Sequence, residues 1–411
     1  MQVKETDFAR RLRAKPREQR VEPLLEKLIS SLSEQLNKSA SEIDPDVPFQ
    51  QIAPLLASDT LRHNLFVQPW TVEHLGFRSY HSYETTLSAT LRELATYLAW
   101  SLDPLPLPEK TLDDIEITWQ WNWPELQSYE GSRVRGRTLF VLSSGRSGTS
   151  LFRNMLDCHE EVFAPQELHL VNFESMAERR DAQKKLAQEW MNTGLRDTLS
   201  RLFGHSEHTA VLELERFAKS GLTSSDVYQL IHDKLENRWL VDKTPVYAKH
   251  PGWLQRAEQM FTEPCYVHLT RHPYAVMESF ISKRFYMYSP SIWGERVENP
   301  WHAAELFWTM ANENILRFSE NIPNSRFLWI TYEELMKDSK SVIERVCSFL
   351  QIPFRENMLD PYSGRSITDI NLEEHSAIDT SMGEAWKERR PPHTLSERTR
   401  RVAAELGYDL I

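Results

Sequence analysis

The sequence predicts an α/β fold in which helices flank a parallel β-sheet and a small all-helical domain comes first. Four short apolar runs predict the strands, and each is followed by a helical pattern; they lie at 139–142, 239–241, 265–270 and 326–332. Unbroken apolar runs of this kind are typical of strands that are buried on both faces. Apolar residues also recur at helical spacing over 22–36, which indicates an amphipathic helix near the N-terminus.

The composition is that of a globular protein with a sizeable core. The chain has 411 residues, of which 40% are hydrophobic, enough for one large α/β domain and a smaller one. The formal net charge of −11 disfavours nucleic acid as a partner. An anionic ligand must therefore be bound by cations placed locally around it.

The cysteines and the lengths of the apolar runs indicate the cellular compartment. Cys158, Cys265 and Cys347 show no metal-ligand spacing and predict buried thiols in a reducing environment, with no disulfide framework. The N-terminus has no apolar signal-peptide core, and no apolar run approaches membrane-spanning length. We therefore expect a cytoplasmic protein without a membrane segment, or a domain of a larger cytoplasmic enzyme.

The first predicted strand runs into a loop that suits an anion. Ser-Gly-Arg-Ser-Gly-Thr-Ser occupies 144–150, and its glycines allow the backbone to approach a ligand closely. The helix that begins near Gly148 directs its N–H groups into the turn, so a phosphate or sulfate would bind there. A Walker A loop ends in Gly-Lys-Ser/Thr, whereas Thr149 follows Gly148 here and the cation of the loop is Arg146. ATP chemistry, and with it a P-loop kinase, is disfavoured.

This loop resembles the 5′-phosphosulfate-binding loop of sulfotransferases that use 3′-phosphoadenosine 5′-phosphosulfate (PAPS). Two further stretches strengthen the resemblance: 266–279, a strand that runs into a helix, and Trp-Leu-Val-Asp-Lys-Thr-Pro at 239–245. The resemblance implies a P-loop-like fold, PAPS as sulfonate donor and no metal. It also implies that Arg271 and Ser279 bind the 3′-phosphate, while the 5′ end is held by Gly145, Arg146, Ser147, Gly148, Thr149 and Ser150.

The stretch from 137 to 362 is more closely similar to the sulfotransferase domains of cyanobacterial olefin-forming polyketide synthases of the curacin type. The segments 164–170, 271–280 and 360–364 carry that likeness. It implies that the substrate is a β-hydroxyacyl chain on an acyl carrier protein, and that sulfate later leaves in a decarboxylating elimination. Neighbouring polyketide synthase or thioesterase modules are the further partners that it implies.

Sulfuryl transfer requires that donor and acceptor are aligned and that charge on the bridging oxygen is neutralised. Arg146 is the candidate to contact the bridging oxygen and the sulfonate. Lys243, between a buried strand and a turn that Pro245 imposes, is the candidate to neutralise a donor or acceptor oxygen from the neighbouring strand end. We assign His268 and His272 to structure.

A general base must take the proton of the acceptor alcohol. Glu167 is the first candidate, because Pro-Gln-Glu-Leu-His at 165–169 resembles the heparan-type pattern in which the Glu is the base and the His orients the acceptor. His169 is the second candidate, since an imidazole titrates near neutral pH. Asn172 stands where that family has an Asp.

The N-terminal region, 1–103, resembles a degenerate acyl carrier protein domain. The likeness rests on 43–49, on His-Leu-Gly-Phe at 74–77 and on 90–98, where Thr90 and Glu93 have capping-box spacing. Thr60 stands where a carrier has the serine that receives phosphopantetheine. An unrelated helical cap is the alternative interpretation. We expect a linker at 104–130, where Pro104, Pro106 and Pro108 interrupt regular structure, and the catalytic domain at 131–411.

A charged, mainly helical stretch from about 170 to 236 interrupts the strands and is expected to be a substrate lid. Its basic cluster, Arg179, Arg180, Lys184 and Lys185, is either a solvated helix face or a docking surface for an acidic carrier protein.

Three functional hypotheses remain open on the sequence. The first is sulfation of a carrier-bound acyl chain, and the second is sulfation of a free small alcohol or a glycan. The third is a catalytically idle nucleotide-binding scaffold, against which the presence of Arg146, Glu167, Lys243 and Arg271 argues.

Overall fold

The structure is a computed structural model that describes residues 6–53, 66–75, 90–102, 108–114, 129–186, 189–282, 285, 299–362, 377–387 and 393–410. The chain divides into two compact units. One contains residues 1–107 with 282–290, and the other contains residues 108–281 with 291–411. No helix among the residues described is both long and apolar enough to span a bilayer.

The N-terminal unit is helical, as predicted. Its helices are α1 (Asp7–Arg13), α2 (Val21–Leu36), α3 (Phe49–Ile52), α4 (Gln68–Leu75) and α5 (Leu91–Ser101). The amphipathic pattern of α2 buries Leu24, Leu25, Leu28 and Leu32. The helix ends at Asn37, whose φ of 51° places it in the left-handed conformation that commonly terminates helices.

Polar contacts fix the ends of helices in this unit. The predicted capping box at α5 is present: Thr90 N donates to Glu93 Oε2 at 3.0 Å and Glu93 N donates to Thr90 Oγ1 at 3.2 Å. Arg20, which is 6% exposed, donates to the carbonyls of Ala99 at 3.1 Å and Lys15 at 2.9 Å. Thr60 and most of the predicted linker, namely 104–107 and 115–128, lie outside the described residues.

The second unit is built on a parallel sheet, as predicted, but the sheet has a fifth strand, Val162–Phe163, that was not predicted. The strands are β1 (Thr138–Leu142), β2 (Val162–Phe163), β3 (Trp239–Asp242), β4 (Cys265–Thr270) and β5 (Phe327–Thr331), in the order β2-β3-β1-β4-β5. Phe140 of β1 pairs with Asp242 of β3 on one side and with Tyr266 of β4 on the other. The carboxyl ends of β3, β1 and β4 therefore lie side by side.

Every residue of β1 is buried, which shows that both faces of the sheet are covered. Helices provide this cover. Phe140 and Leu142 belong to one apolar cluster and Leu139 and Val141 to a second on the opposite face. The helices outside the insertion are α6 (Thr149–Asp157), α11 (Pro251–Met260), α12 (Pro273–Ser282), α13 (Pro300–Ser319), α14 (Tyr332–Lys337), α15 (Ser339–Leu350) and α16 (Glu397–Glu405).

The predicted helical insertion lies between β2 and β3. It contains α7 (Met176–Leu186), α8 (Thr193–Phe203), α9 (Glu207–Lys219) and α10 (Ser224–Leu235). Polar side chains start two of these helices: Ser206 caps α9, and Thr223 and Asp226 form a capping box at α10.

The expectation that the basic cluster of α7 is a solvated face or a docking surface is wrong for Arg179. Arg179 is 2% exposed, and its guanidinium donates to the carbonyls of Leu168 and His169 at 3.4 and 3.1 Å. It also donates to Asn192 Oδ1 at 2.6 Å and to the carbonyl of Met191. A buried guanidinium needs several acceptors, and the irregular segments beside α7 supply them.

Helix α8 approaches the segment that carries Glu167 so closely that only glycine fits at position 194. A Cβ atom there would lie 2.1 Å from the carbonyl oxygen of Glu167 and 2.5 Å from that of Gln166. Neither backbone oxygen can move without displacing the segment.

We therefore predict that Gly194→Ala lowers the free energy of unfolding by about 1–3 kcal/mol, as overpacking of a filled site does. Urea denaturation measures the change. Ser200→Ala, at an exposed position of the same helix, is the control and should change stability by less than about 0.5 kcal/mol. Equal stability of the two variants would contradict the close backbone contact.

Candidate active site

The predicted anion-binding loop joins β1 to α6 with a backbone that favours glycine. Gly148 has a φ of 84° and precedes the first turn of α6, whose opening N–H groups have no acceptor within the helix. A Cβ atom at Gly148 would lie 2.3 Å from Tyr332 Cδ2, and one at Gly145 would lie 2.7 Å from Phe307 Cζ. Ser144 Oγ and Ser147 Oγ, 2.9 Å apart, bridge the loop. A hydrogen bond between two serine side chains thus stabilises the turn, and the rings of Tyr332 and Phe307 pack against its glycines.

Arg146 links this loop to the turn that follows β4. Its Nε donates to Ser279 Oγ of α12 at 3.2 Å. Its own carbonyl accepts from Arg271 Nη1 at 3.1 Å. Although 125 residues separate Arg146 from Arg271 in the chain, the pairing of β1 with β4 brings the two guanidinium groups and Ser279 into one site.

Arg271 is held in place by contacts on several sides. It is 8% exposed, and its guanidinium carbon lies 4.2 Å from the ring centre of Tyr332. Its Nη2 donates to the carbonyl of Met382 at 3.3 Å. Its Nε is buried and has no acceptor among the described residues. A buried donor of this kind fits an anion that binds between the two strand ends.

Lys243 extends the site to the end of β3. Its side chain is 1% exposed and forms an ion pair with Glu167, whose side chain is 34% exposed. The same ammonium donates to Ser150 Oγ at 3.4 Å. One buried cation therefore contacts both the anion-binding loop and the segment that carries the candidate base.

The two candidate bases differ in their access to solvent and substrate. His169 is 3% exposed and has a φ of 50°, so the segment does not continue as a regular strand after β2. Burial, and secondarily the charges of Arg179, Lys243 and Lys249, lower the pKa of His169 well below 6.5. The imidazole is therefore neutral at physiological pH, whereas Glu167 has the exposure that an acceptor-facing group needs.

His268 and His272, which were assigned structural roles from the sequence, both contact other side chains or the backbone. His268 Nε2 lies 3.0 Å from Asn312 Oδ1, and burial lowers its pKa to about 4. His272 Nε2 lies 3.0 Å from the carbonyl of Asp409, and its ring stacks on Trp386 at 3.5 Å between centres.

Several residues of the site were not identified from the sequence. Tyr332 supports Gly148 and Arg271, and Phe307 supports Gly145. Lys249, which is 4% exposed, lies 4.6 Å from the ring centre of Phe307, and burial lowers its pKa well below 10.5. All three act through packing across long sequence separations, so no local motif marks them.

The model of the sulfotransferase family matches residues 138–356, more than half of the chain. The chain belongs to the sulfotransferase family. The matched range includes every residue that was predicted to bind donor or acceptor.

Solved structures support the closer resemblance. A sulfotransferase domain from the curacin biosynthetic pathway is 35% identical, with a TM-score of 0.63, over 68% of this chain and 100% of that one. The sulfotransferase domain of the Synechococcus PCC 7002 olefin synthase is 32% identical, with a TM-score of 0.62, over 71% and 100% of the two chains. The predicted likeness to polyketide-pathway sulfotransferase domains is thereby confirmed.

A curated relative is more distant. Protein-tyrosine sulfotransferase A of Caenorhabditis elegans is 22% identical over 253 residues, which are 61% of this chain and 60% of that protein. The chain thus spans less than two thirds of that relative's length.

The burial of His169 generates a prediction. Because its pKa lies well below 6.5, the NMR signals of its ring should change much less between about pH 8 and 6.5 than those of an ordinary imidazole. His169→Gln identifies the signals by their disappearance. The unfolded protein is the control, since there the imidazole regains its ordinary pKa. A midpoint at or above pH 6.5 in the folded protein would contradict the effect of burial on this imidazole.

Proposed function

We propose that this chain transfers the sulfonate of PAPS to the β-hydroxyl of an acyl chain bound to an acyl carrier protein. The observation that carries the proposal is the meeting of two anion-binding turns at adjacent strand ends, beside the Lys243–Glu167 ion pair. Such an arrangement suits a donor with phosphate at both ends of an adenosine and a reactive sulfonate near a carboxylate.

The residues fit such a donor. The loop 145–150 offers glycine backbone, hydroxyls and helix N–H groups for the 5′-phosphosulfate. We assign the 3′-phosphate to Arg271, whose buried Nε has no acceptor among the described residues, and to Ser279, which already accepts a hydrogen bond from Arg146. PAPS supplies the sulfonate, and adenosine 3′,5′-bisphosphate (PAP) is the leaving group.

The side chains have separable tasks in this reaction. Glu167 takes the proton of the acceptor hydroxyl, since its carboxylate is partly exposed while the alternative base His169 is buried and neutral. Arg146 and Lys243 neutralise the charge that gathers on the bridging oxygen and the sulfonate. The ammonium group of Lys243 also donates a hydrogen bond to Ser150, so its position relative to the loop is set before substrate binds.

The proposed acceptor rests on the likeness to the two polyketide-pathway sulfotransferase domains. Both polyketide-pathway domains align over their whole length, and a carrier-bound β-hydroxyacyl chain is the substrate that this likeness suggests. A sulfated β-hydroxyl would activate the chain for later decarboxylative elimination to a terminal alkene. We propose that residues 131–411 form the catalytic domain and that 1–103 are a carrier-like helical domain without a prosthetic group, joined by a linker at 104–130.

The role of Arg146 is testable by kinetics. Arg146→Ala should lower kcat/KM for sulfonate transfer by about 10²–10³-fold, on the scale of losing one oxyanion donor. Turnover of PAPS to PAP measures the loss. Arg216→Ala, at an exposed position of α9, is the matched control and should retain activity. Full activity of the Arg146 variant would refute the assignment.

The nature of the acceptor is testable by comparing substrates. A β-hydroxyacyl chain on a carrier protein should be sulfated faster, in kcat/KM, than the same chain on pantetheine, because the protein partner adds contacts that orient the chain. Mass spectrometry of the sulfonated products measures both rates. Equal rates would favour a free small alcohol as acceptor. PAP affinity with no transfer to either substrate would favour an idle scaffold.

A further inference from the structure

A buried carboxylate at the end of β3 accepts hydrogen bonds from three hydroxyl groups. Asp242 is 1% exposed. Its Oδ1 accepts from Thr244 Oγ1 at 2.6 Å, and its Oδ2 accepts from Tyr228 at 2.5 Å and from Tyr247 at 3.2 Å. Within the part of the chain that the structure describes, the side chains of Thr244, Tyr228 and Tyr247 bond to Asp242, to one another and to backbone amides outside the anion-binding loop, so the proposed reaction leaves them without a task.

Two of the three hydroxyls also accept hydrogen bonds from backbone amides of the segment that carries the candidate bases. This segment, residues 166–171, is here named the Glu167 segment. Leu168 N donates to Thr244 Oγ1 at 3.2 Å. Leu170 N and Val171 N donate to the Tyr247 hydroxyl at 3.0 and 3.4 Å. The amides on either side of His169 are thus bound to hydroxyls that are themselves bound to Asp242.

The direction of these bonds depends on Asp242. A hydroxyl can donate only one hydrogen bond, and Thr244 and Tyr247 each donate theirs to the carboxylate of Asp242. The hydroxyl oxygen is then free to accept from a backbone N–H. An ionised Asp242 therefore makes Thr244 and Tyr247 into acceptors, and buried acceptors are what the amides of the Glu167 segment require.

Burial, together with the charge of Glu167, raises the pKa of Asp242, while the hydroxyls of Thr244, Tyr228 and Tyr247 oppose this rise. The net result is a pKa of about 6, so the carboxyl is ionised at neutral pH. Burial keeps the pKa of both tyrosines raised, so their hydroxyls remain protonated donors.

The opposite side of the Glu167 segment is held independently. Arg179 donates to the carbonyls of Leu168 and His169, and Gly194 packs against the carbonyl of Glu167. The segment is thus bound through its amides by the Asp242 hydroxyls and through its carbonyls by Arg179. Lys243, the residue after Asp242, ion-pairs with the Glu167 side chain. One strand end therefore fixes both the backbone and the carboxylate of the candidate base.

We propose that Asp242 is a positioning residue that sets the location of Glu167 through the hydroxyls of Thr244 and Tyr247. The inference rests on the proposed function, because it assigns Glu167 the task of proton acceptor. A displacement of about 1 Å of a reacting group can lower a rate by about 10²-fold. A residue that never touches the substrate can thus control kcat.

The chain offers a matched pair of variants for the test. Tyr247→Phe removes a hydroxyl that binds both Asp242 and the segment. Tyr228→Phe removes a hydroxyl that binds Asp242 and the Tyr247 hydroxyl, 3.4 Å away, but no amide of the segment. We expect Tyr247→Phe to lower kcat by about tenfold or more with an unchanged Kd for PAP, and Tyr228→Phe to stay within about threefold of the parent.

A second pair guards against a failure of Tyr247→Phe to fold. Thr244→Val removes the acceptor for Leu168 N and should lower kcat, whereas Thr244→Ser keeps the hydroxyl and should restore it. If the two tyrosine variants lose equal activity, or if Thr244→Ser is as impaired as Thr244→Val, Asp242 has only a structural role and the proposal is overturned.

Hydrogen–deuterium exchange separates this inference from the proposed function. The amides of 168–171 should exchange faster in Tyr247→Phe than in Tyr228→Phe, whether or not any acceptor is turned over. Faster exchange in a protein that transfers no sulfonate would refute the function and retain the positioning. Equal exchange of the two variants would refute the positioning, even in an active enzyme.

Discussion

The parallel pairing of β1 with both β3 and β4 is the constraint on which the site depends. Phe140 pairs with Asp242 and with Tyr266, so the carboxyl ends of the three strands lie at one edge of the sheet, where β1 extends two residues beyond β3 and β4 two residues beyond β1. Lys243, the loop after β1 and Arg271 each follow one of these strands directly. Residues that lie about 100 positions apart in sequence thereby meet within hydrogen-bond distance, and a change in strand order would separate them.

The site gathers positive charge in a protein whose net charge is −11. Lys243 and Arg271 are each less than a tenth exposed, and burying a cation is costly unless other groups compensate. The compensation here comes from Glu167, from the ring face of Tyr332 and from the carbonyl of Met382. These partners hold the cations in place before an anion arrives, so binding requires little rearrangement of the protein.

The sequence predicted four of the five strands and the loop because local physics determines both; the two-residue strand β2 is too short to leave an apolar pattern. An unbroken apolar run as short as 139–142, ended by a glycine-containing loop, is typical of a strand buried on two faces, and the glycines at 145 and 148 are needed for packing and for a positive φ. Strand order, the Lys243–Glu167 ion pair and the Asp242 hydroxyl network depend on tertiary pairing, which leaves no local pattern. Arg179 was misassigned for the same reason: on a helix rich in charge, a buried arginine looks like its exposed neighbours.

Two residues of the site adopt a backbone conformation that is uncommon outside glycine, and the structure holds both in the same way. Arg146 has a φ of 71° and His169 a φ of 50°, conformations that cost free energy unless the surroundings fix them. The carbonyl of Arg146 accepts from Arg271 at 3.1 Å, and the carbonyl of His169 accepts from Arg179 at 3.1 Å. A buried guanidinium thus fixes each unusual peptide. In the proposed reaction one peptide presents Arg146 to the donor and the other lies two residues from Glu167, so the alignment of donor and acceptor would depend on backbone contacts as much as on the groups that take part in the transfer.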